Sequence, residues 1–175
     1  IAGAAADEGL ELEEVSKITQ NALENIKTMG VALSPCIVPE VGKPTFSIED
    51  DKIEIGMGIH GEQGIEVREM LKADEIADLI FTKINEELEL KSEDEVSVTV
   101  NGLGATPLEE LYIVYNRIYK ILKEKNVKII KPHIGEFATS MEMAGLSITI
   151  FKLNVETKRL LLKEAITPFY TNVNK

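Results

Sequence analysis

A histidine surrounded by glycines is the part of this sequence best suited to chemistry. The segment Gly56–Gly64 reads GMGIHGEQG, with His60 at its centre and four glycines among nine residues. Glycine lacks a Cβ, so such a loop lets a ligand approach the backbone closely. A neutral imidazole can act as a general base, a metal ligand or a nucleophile. The residues alone leave these roles open, beside the plainer one of a turn histidine bonded to nearby backbone.

Other polar residues give weaker indications of a site. Glu62 and Glu66 could orient the ring of His60 or bind substrate hydroxyls, and a solvated loop explains them equally well. The second histidine, His133, is typical of a surface or partly satisfied side chain at a strand end. No cysteine pair accompanies the histidines, so a metal site is weakly supported. Cys36 beside a proline is most simply a small buried residue.

A second glycine-containing segment, Asn101–Gly104, precedes a predicted helix. Backbone N–H groups at a helix start can bind an anion. The segment lacks the Gly-Lys-Ser/Thr ending of a phosphate-binding loop, which favours a tight strand-to-helix turn. Thr106 suits the N-cap of the following helix, Pro107 its first turn, and Glu109 completes a capping box.

Strands and helices alternate along the chain, and the glycine loop follows a strand. The apolar spacing predicts helices over residues 11–29 (with Gly30 as the stop), 73–90, 107–122 and 155–164, the last capped by Asn154. It predicts strands over residues 45–48, 52–57, 95–100, 127–130 and 146–153, a helical turn at 140–143, and a polar tail over 167–175 that is loose at its end. This order predicts an α/β (α+β-like) class, a single domain with a mixed β-sheet and helices packed against it.

Charge and composition restrict the partners. The net charge of −11 and pI of about 4.7 disfavour nucleic acid and anionic membranes. No apolar run approaches the ~20 residues that a membrane span needs. The single cysteine excludes an internal disulfide and fits a reducing cytoplasm.

The glycine-flanked histidine segment resembles the histidine loop of the dihydroxyacetone kinase substrate-binding subunit family. Other segments resemble that family in the same order, so that the resemblance covers nearly the whole chain: Ile1–Ala6, Met29–Cys36, Gly42–Phe46, Val100–Tyr112 and Thr139–Gly145.

The resemblance implies a covalent role for the loop histidine. In this family the histidine attacks the carbonyl carbon of dihydroxyacetone and holds it as a hemiaminal, a role that falls on His60. We expect Gly58, Gly61 and Glu62 to contribute to substrate binding. The resemblance implies no metal and no cofactor bound by this chain, and a nucleotide (ADP or ATP with magnesium) on a partner subunit.

The resemblance also implies an incomplete site. Residues 1–175 resemble the C-terminal subdomain, and we expect the N-terminal subdomain to supply a glycine-rich loop, a second histidine and an acidic catalytic residue. We expect a cytoplasmic homodimer and a nucleotide-binding kinase subunit that holds ADP, rephosphorylated through the phosphoenolpyruvate phosphotransferase relay. The alternative is a non-catalytic dihydroxyacetone sensor or transcriptional co-activator of the same family.

Overall fold

A computed structural model of the chain describes residues 1–35, 37–38, 40, 42–44, 48–49, 51–58 and 64–173. The helices are α1 (Ala2–Asp7), α2 (Leu12–Glu24), α3 (Ala73–Leu88), α4 (Leu108–Glu124) and α5 (Val155–Leu161). The strands are β1 (Ile26–Ala32), β2 (Ile37–Val38), β3 (Lys43–Pro44), β4 (Lys52–Ile55), β5 (Glu66–Glu69), β6 (Glu95–Gly102), β7 (Lys128–Gly135), β8 (Gly145–Leu153), β9 (Ala165–Ile166) and β10 (Thr171–Asn172).

The large sheet has the strand order β5-β4-β1-β8-β6-β7. Neighbouring strands are antiparallel except β6 and β7, which run parallel and are joined by α4. A parallel pair needs such a crossover because the chain must return to the starting edge. The predicted mixed sheet with packed helices is therefore confirmed.

One face of the sheet forms the main core with α3 and α4. Alternate residues of β6 and β8 point into it, and α3 contributes a helical stripe that includes Ile80 and Ile84. Burying each such side chain stabilises the fold by about 1.5–3 kcal/mol relative to leaving it exposed. The buried strand residues that face these helices are Val96, Val98, Val100, Leu146, Ile148 and Ile150.

The opposite face of the sheet is polar around its central strands. The hydroxyls of Thr28 on β1 and Thr149 on β8 share a hydrogen bond 2.8 Å long. The buried Asn101 on β6 donates to the Ser147 hydroxyl on β8 at 3.3 Å. Sequence alternation places these polar side chains opposite the apolar ones of the same strands.

The helix predicted over residues 11–29 is wrong in its last five residues, 25–29. Helix α2 ends at Glu24, and Ile26–Ala32 is strand β1, with Gly30 inside it rather than at a helix end. The segment 22–26 continues the helical spacing, but Ile26, Thr28 and Val31 are β-branched. Pairing with seven consecutive residues of β8 decides the conformation.

Several smaller predictions are also corrected. Within the tail, β9 pairs with β10, and the buried Asn172 side chain donates to two carbonyls near the end of α5; residues 174–175, the end expected to be loose, lie outside the described residues. Strand β7 runs to Gly135, so His133 lies within the strand. Residues 141–142 form a turn in which Met141 has a φ of 51°, which is not helical. Strand β5 was not predicted at all, and the segment 45–47 lies outside the described residues.

Candidate functional site

The glycine loop leaves the sheet at Gly56, directly after β4 as predicted. Gly56 has a φ of 77°, a left-handed conformation that favours glycine. Its N–H donates to the Gly30 carbonyl of β1 at 2.8 Å, which ties the start of the loop to the sheet. A Cβ at Gly56 would lie 2.8 Å from Cγ1 of Ile65, so this position also lacks room for a side chain.

The loop returns to the sheet at Gly64. The Ile65 N–H donates to the Ile55 carbonyl at 2.8 Å, and the Gly64 N–H donates to the carboxylate of Glu54. Glu54 is buried, and a Cβ at Gly64 would lie 2.6 Å from the Ile55 carbonyl oxygen. Gly56 and Gly64 therefore serve the base of the loop, a local structural reason for two of the four glycines.

Sequence reasoning missed the role of Glu54. The signal was present, because Ile53 and Ile55 both face the core and the residue between them must face the other side of the sheet. A carboxylate there can accept from a backbone N–H in the returning chain, and it holds the loop base closed.

The loop base rests on a small apolar cluster, separate from the main core. Ala32, Met57, Leu103 and Met143 are all buried and pack together, with Ile48 partly buried beside them. They come from four different segments of the chain. Three of these are among the segments whose sequence resembles the dihydroxyacetone kinase substrate-binding family, and the fourth is the start of the loop. These segments therefore form one platform at the base of the loop.

Backbone contacts of the platform leave no room for side chains at two further glycines. A Cβ at Gly104, whose φ is 112°, would lie 1.5 Å from the carbonyl oxygen of Met141. A Cβ at Gly145 would lie 2.3 Å from the carbonyl oxygen of Val31. Asn101 and Gly102 end strand β6, and residues 103–107 make the short strand-to-helix turn that the sequence favours.

Thr106 holds the platform together instead of capping α4. Its hydroxyl donates to the Gly145 carbonyl at 2.7 Å, and the Gly145 N–H donates back to it at 2.8 Å. Pro107 occupies the N-cap position without a side-chain cap, so the predicted capping box is wrong. The buried hydroxyl completes the pairing at the start of β8, a requirement that only the tertiary fold creates.

A shallow groove of about 270 Å³ opens beside the loop base. Gly58 lies on its wall, next to the position at which the loop continues toward the histidine. The lining of the groove is mainly apolar and includes two hydroxyl-bearing residues; its members are Thr28, Met29, Gly30, Gly56, Met57, Gly58, Ile65, Leu103 and Ser147.

The remaining residues of the predicted site, His60, Gly61 and Glu62, lie outside the described residues, as does Cys36. Glu66 is the first residue of β5, and its carboxylate pairs with Arg68 at 2.8 Å. In the described part of the site, the structure thus positions the two ends of the loop.

His133 does not belong to this region. It lies on β7, with three strands between it and β4, from which the loop leaves. Its Nε2 and the Tyr170 hydroxyl share a hydrogen bond 2.9 Å long, and its ring meets Phe137 edge to face. Burial, helped by the positive charge of Lys131, lowers the pKa of His133. This supports the partly satisfied histidine favoured from the sequence.

Two further kinds of site are absent from the residues that the structure describes. Among them, no group of three or more histidine, cysteine, aspartate or glutamate side chains is arranged to hold a metal ion. No helix in this part of the chain has the length and apolar character to cross a membrane.

Known proteins share both the sequence and the fold. The Dak1 domain family matches residues 1–169. The chain belongs to the Dak1 domain family. The resemblance drawn from the histidine loop is thereby confirmed at the level of the family. The platform that supports the loop is accordingly a feature of a Dak1 domain.

Two curated relatives and one solved structure illustrate the family. The domain is 46% identical over 156 residues to the dihydroxyacetone-binding subunit DhaK of a PTS-dependent dihydroxyacetone kinase from Listeria innocua, covering 89% of this chain and 47% of that protein. It is 36% identical over 174 residues to L-erythrulose 1-kinase of Mycolicibacterium smegmatis, covering 97% of this chain and 30% of that protein. The structure of the dihydroxyacetone kinase operon co-activator Dha-DhaQ matches with a TM-score of 0.86 at 30% identity, covering 93% of this chain and 50% of that one. The chain thus spans half or less of the length of each.

Proposed function

We propose that this Dak1 domain forms the ketone-holding part of a dihydroxyacetone kinase. In this proposal the loop histidine, His60, binds dihydroxyacetone covalently as a hemiaminal, and Gly58, Gly61 and Glu62 contribute to substrate binding. The observation that carries the proposal is the 46% identity to a dihydroxyacetone-binding subunit across most of the chain. The relative named as an erythrulose kinase extends the substrate class to short-chain ketoses.

The chemistry of a neutral imidazole suits this role. The imidazole nitrogen forms a bond to the carbonyl carbon while the carbonyl π bond breaks. The oxygen takes up the proton that the imidazole releases, so no atom leaves. Glycerol has no carbonyl and cannot be captured in this way. Covalent attachment also fixes the terminal hydroxyl for phosphoryl transfer, which lowers the entropic part of the barrier.

The anchored loop base supports the proposal physically. A nucleophile gains from a fixed position, and both ends of the loop are held by backbone hydrogen bonds and by close contacts at Gly56 and Gly64. The buried cluster around Leu103 and Met57 packs at the base of the loop. These contacts favour a loop that presents His60 from a fixed base.

The proposed reaction needs further components. We infer that residues 1–175 are the second of two subdomains and that the first supplies the groups that activate the substrate hydroxyl. The chain spans only part of the length of the Listeria innocua relative, which supports the division into two subdomains. We further propose a nucleotide-binding kinase subunit that carries ADP or ATP with magnesium, fed by the phosphotransferase relay, a homodimeric assembly, and a cytoplasmic location. This chain itself would bind no cofactor and no metal.

Intact-protein mass spectrometry tests the covalent step. We expect incubation of the intact natural protein with dihydroxyacetone to raise its mass by that of one whole ketone molecule, and glycerol to leave it unchanged. His60→Ala should abolish the increase, whereas His133→Ala, the matched control at the other histidine, should retain it. A mass increase that persists in His60→Ala would contradict the assignment.

The similarity to the co-activator structure favours a second candidate function, a ketone sensor that performs no phosphoryl transfer. Both functions share the covalent step, so mass spectrometry does not separate them. Phosphoryl transfer to dihydroxyacetone in the presence of the nucleotide-binding partner subunit does. Turnover supports the kinase, and ketone binding without turnover supports the sensor.

A further inference from the structure

The groove beside the loop base lies between the two ends of the glycine loop. Gly58 on the outgoing side and Ile65 on the returning side both line it. The segment between these two residues carries His60, which is two positions from Gly58. Two residues span at most about 7 Å, so the covalent chain keeps the Cα atoms of His60 and Gly58 within that distance. A molecule attached to the imidazole is therefore held near the groove.

The lining of the groove carries no formal charge, although 28% of the residues in the chain are charged. A phosphate or a carboxylate would find no cation in this lining, and the net charge of −11 opposes an anion further. The volume of about 270 Å³ lies below the roughly 300–1,000 Å³ of pockets for drug-sized ligands. The groove therefore suits a small neutral group.

One hydroxyl of the groove has a fixed direction, because Asn101 determines it. The Asn101 side-chain oxygen accepts from the N–H groups of Phe137 at 2.7 Å and Ala138 at 3.0 Å, which identifies the other end of the amide as its nitrogen. That nitrogen donates to the Ser147 hydroxyl oxygen at 3.3 Å. Ser147 is thus an acceptor within the protein, and in the described part of the chain its own proton has no acceptor. A hydroxyl in this state can donate to a ligand oxygen.

The second hydroxyl of the groove belongs to Thr28 on the neighbouring strand. Thr28 is exposed and shares a hydrogen bond 2.8 Å long with Thr149, its pairing residue on β8. Ser147 lies two residues before Thr149 and on the same face of the sheet. Such diagonal neighbours on adjacent strands are about 7–8 Å apart. The two hydroxyls can therefore contact neighbouring positions of one short polyol chain.

We propose, on the basis of the proposed function, that this groove receives the part of a captured ketose that extends beyond its third carbon. Ser147 donates to the terminal hydroxyl of that part, and Thr28 borders it. Met57 and Leu103, both buried, supply an apolar surface for its carbon atoms. Because the lining is uncharged, the end of the ketose that receives the phosphoryl group points away from the groove.

This arrangement makes the groove a determinant of chain length. Dihydroxyacetone ends at its third carbon and leaves the groove to water, whereas erythrulose has one carbon and one hydroxyl more. The additional hydroxyl of erythrulose replaces water beside Ser147, and the additional carbon contacts the apolar lining. Ser147 and Thr28 should therefore affect the binding of the four-carbon ketose and leave that of the three-carbon ketose almost unchanged.

Intact-protein mass spectrometry of the natural protein, titrated separately with dihydroxyacetone and with erythrulose, tests the proposal. Ser147→Ala should raise the apparent dissociation constant for erythrulose roughly two- to tenfold and change that for dihydroxyacetone less than about twofold, because one neutral hydrogen bond is lost. Thr28→Phe, at an exposed position, should obstruct the groove and shift the ratio of the two constants in the same direction. Thr99→Val removes a hydroxyl from the same face of the sheet outside the groove, and this control should leave the ratio unchanged.

The possible results separate the groove from the covalent step. If the wild-type protein captures neither ketose, the proposed function is wrong and the groove assignment falls with it. If it captures dihydroxyacetone but not erythrulose, or if Ser147→Ala and Thr28→Phe both leave the ratio unchanged, the groove assignment alone is overturned. An unchanged ratio in Ser147→Ala alone overturns the role of Ser147. A shift in Thr99→Val equal to that in Ser147→Ala would show a general effect of the sheet face and would also overturn the assignment.

Discussion

Replacing Thr106 by valine should destabilise the domain more than replacing it by serine. Valine has nearly the shape of threonine but no hydroxyl, whereas serine keeps the hydroxyl and loses a methyl group. Thr106 is buried, and its hydroxyl both donates to the Gly145 carbonyl and accepts from the Gly145 N–H. The pair of variants therefore separates the hydrogen bonds from the packing.

The expected size follows from what Gly145 loses. Its carbonyl still accepts from the Leu103 N–H at 3.2 Å, but its N–H has Thr106 as its partner. A buried N–H left without an acceptor costs about 1–3 kcal/mol, and the second bond adds about 1 kcal/mol. The valine variant should lose about 2–4 kcal/mol in the free energy of unfolding. The serine variant should lose about 1 kcal/mol for the buried methyl group.

Urea unfolding followed by circular dichroism measures both free energies of unfolding. Hydrogen exchange at the Gly145 amide gives a local readout, because this N–H should exchange faster in the valine variant and remain protected in the serine variant. Equal unfolding free energies for the two variants would refute the reasoning. So would an unchanged exchange rate at Gly145 in the valine variant, since the hydroxyl would then not protect that amide.

Three further predictions concern the loop base and the charged groups. Gly64→Ala should lower the free energy of unfolding by about 1–3 kcal/mol in urea titrations, because overpacking against backbone is costly. Gly3 has open space around it, so the control Gly3→Ala should not destabilise the domain. Equal effects of the two variants would contradict the close packing at Gly64. Arg159 and Lys163 hold the pKa of Glu8 at about 2. The contribution of Glu8 to stability is therefore full above its ordinary pKa and is lost as the pH falls toward 2. Glu8→Gln should flatten that part of the plot of stability against pH, and an unchanged acid profile in the variant would contradict the ion pairs. Burial lowers the pKa of His133, so the stability of the domain should fall as the pH drops below about 6.5. An NMR titration midpoint of His133 at or above that value would contradict its buried environment.

Periodicity was sufficient wherever a segment is long and has one buried side. The helix predicted over 73–90 is α3 at Ala73–Leu88, and the strand predicted over 146–153 is β8 at Gly145–Leu153. Asn154 was predicted to cap the last helix, and its side chain does accept from the Thr157 N–H. In these cases the local pattern and the tertiary environment favour the same conformation.

Periodicity failed where a distant partner decides the conformation. Ile26 continues the helical spacing of α2, yet it begins β1, because its pairing residue in β8 is Phe151, more than a hundred positions away. The position of Thr106 in the sequence is typical of an N-cap, but its hydroxyl hydrogen-bonds to Gly145 instead. Such contacts leave no trace in the local spacing of residues.

For the candidate site, the sequence by itself determined that a histidine lies in a glycine-rich loop after a strand. Residue types and local spacing suffice for this, because glycine has its permissive backbone in any context. Only the tertiary structure decided what the glycines do. Gly56 and Gly64 lie against Ile65 and Ile55, and Glu54 closes the loop base. Close contacts between separate segments exist only after the chain has folded, so the platform could not be read from spacing alone.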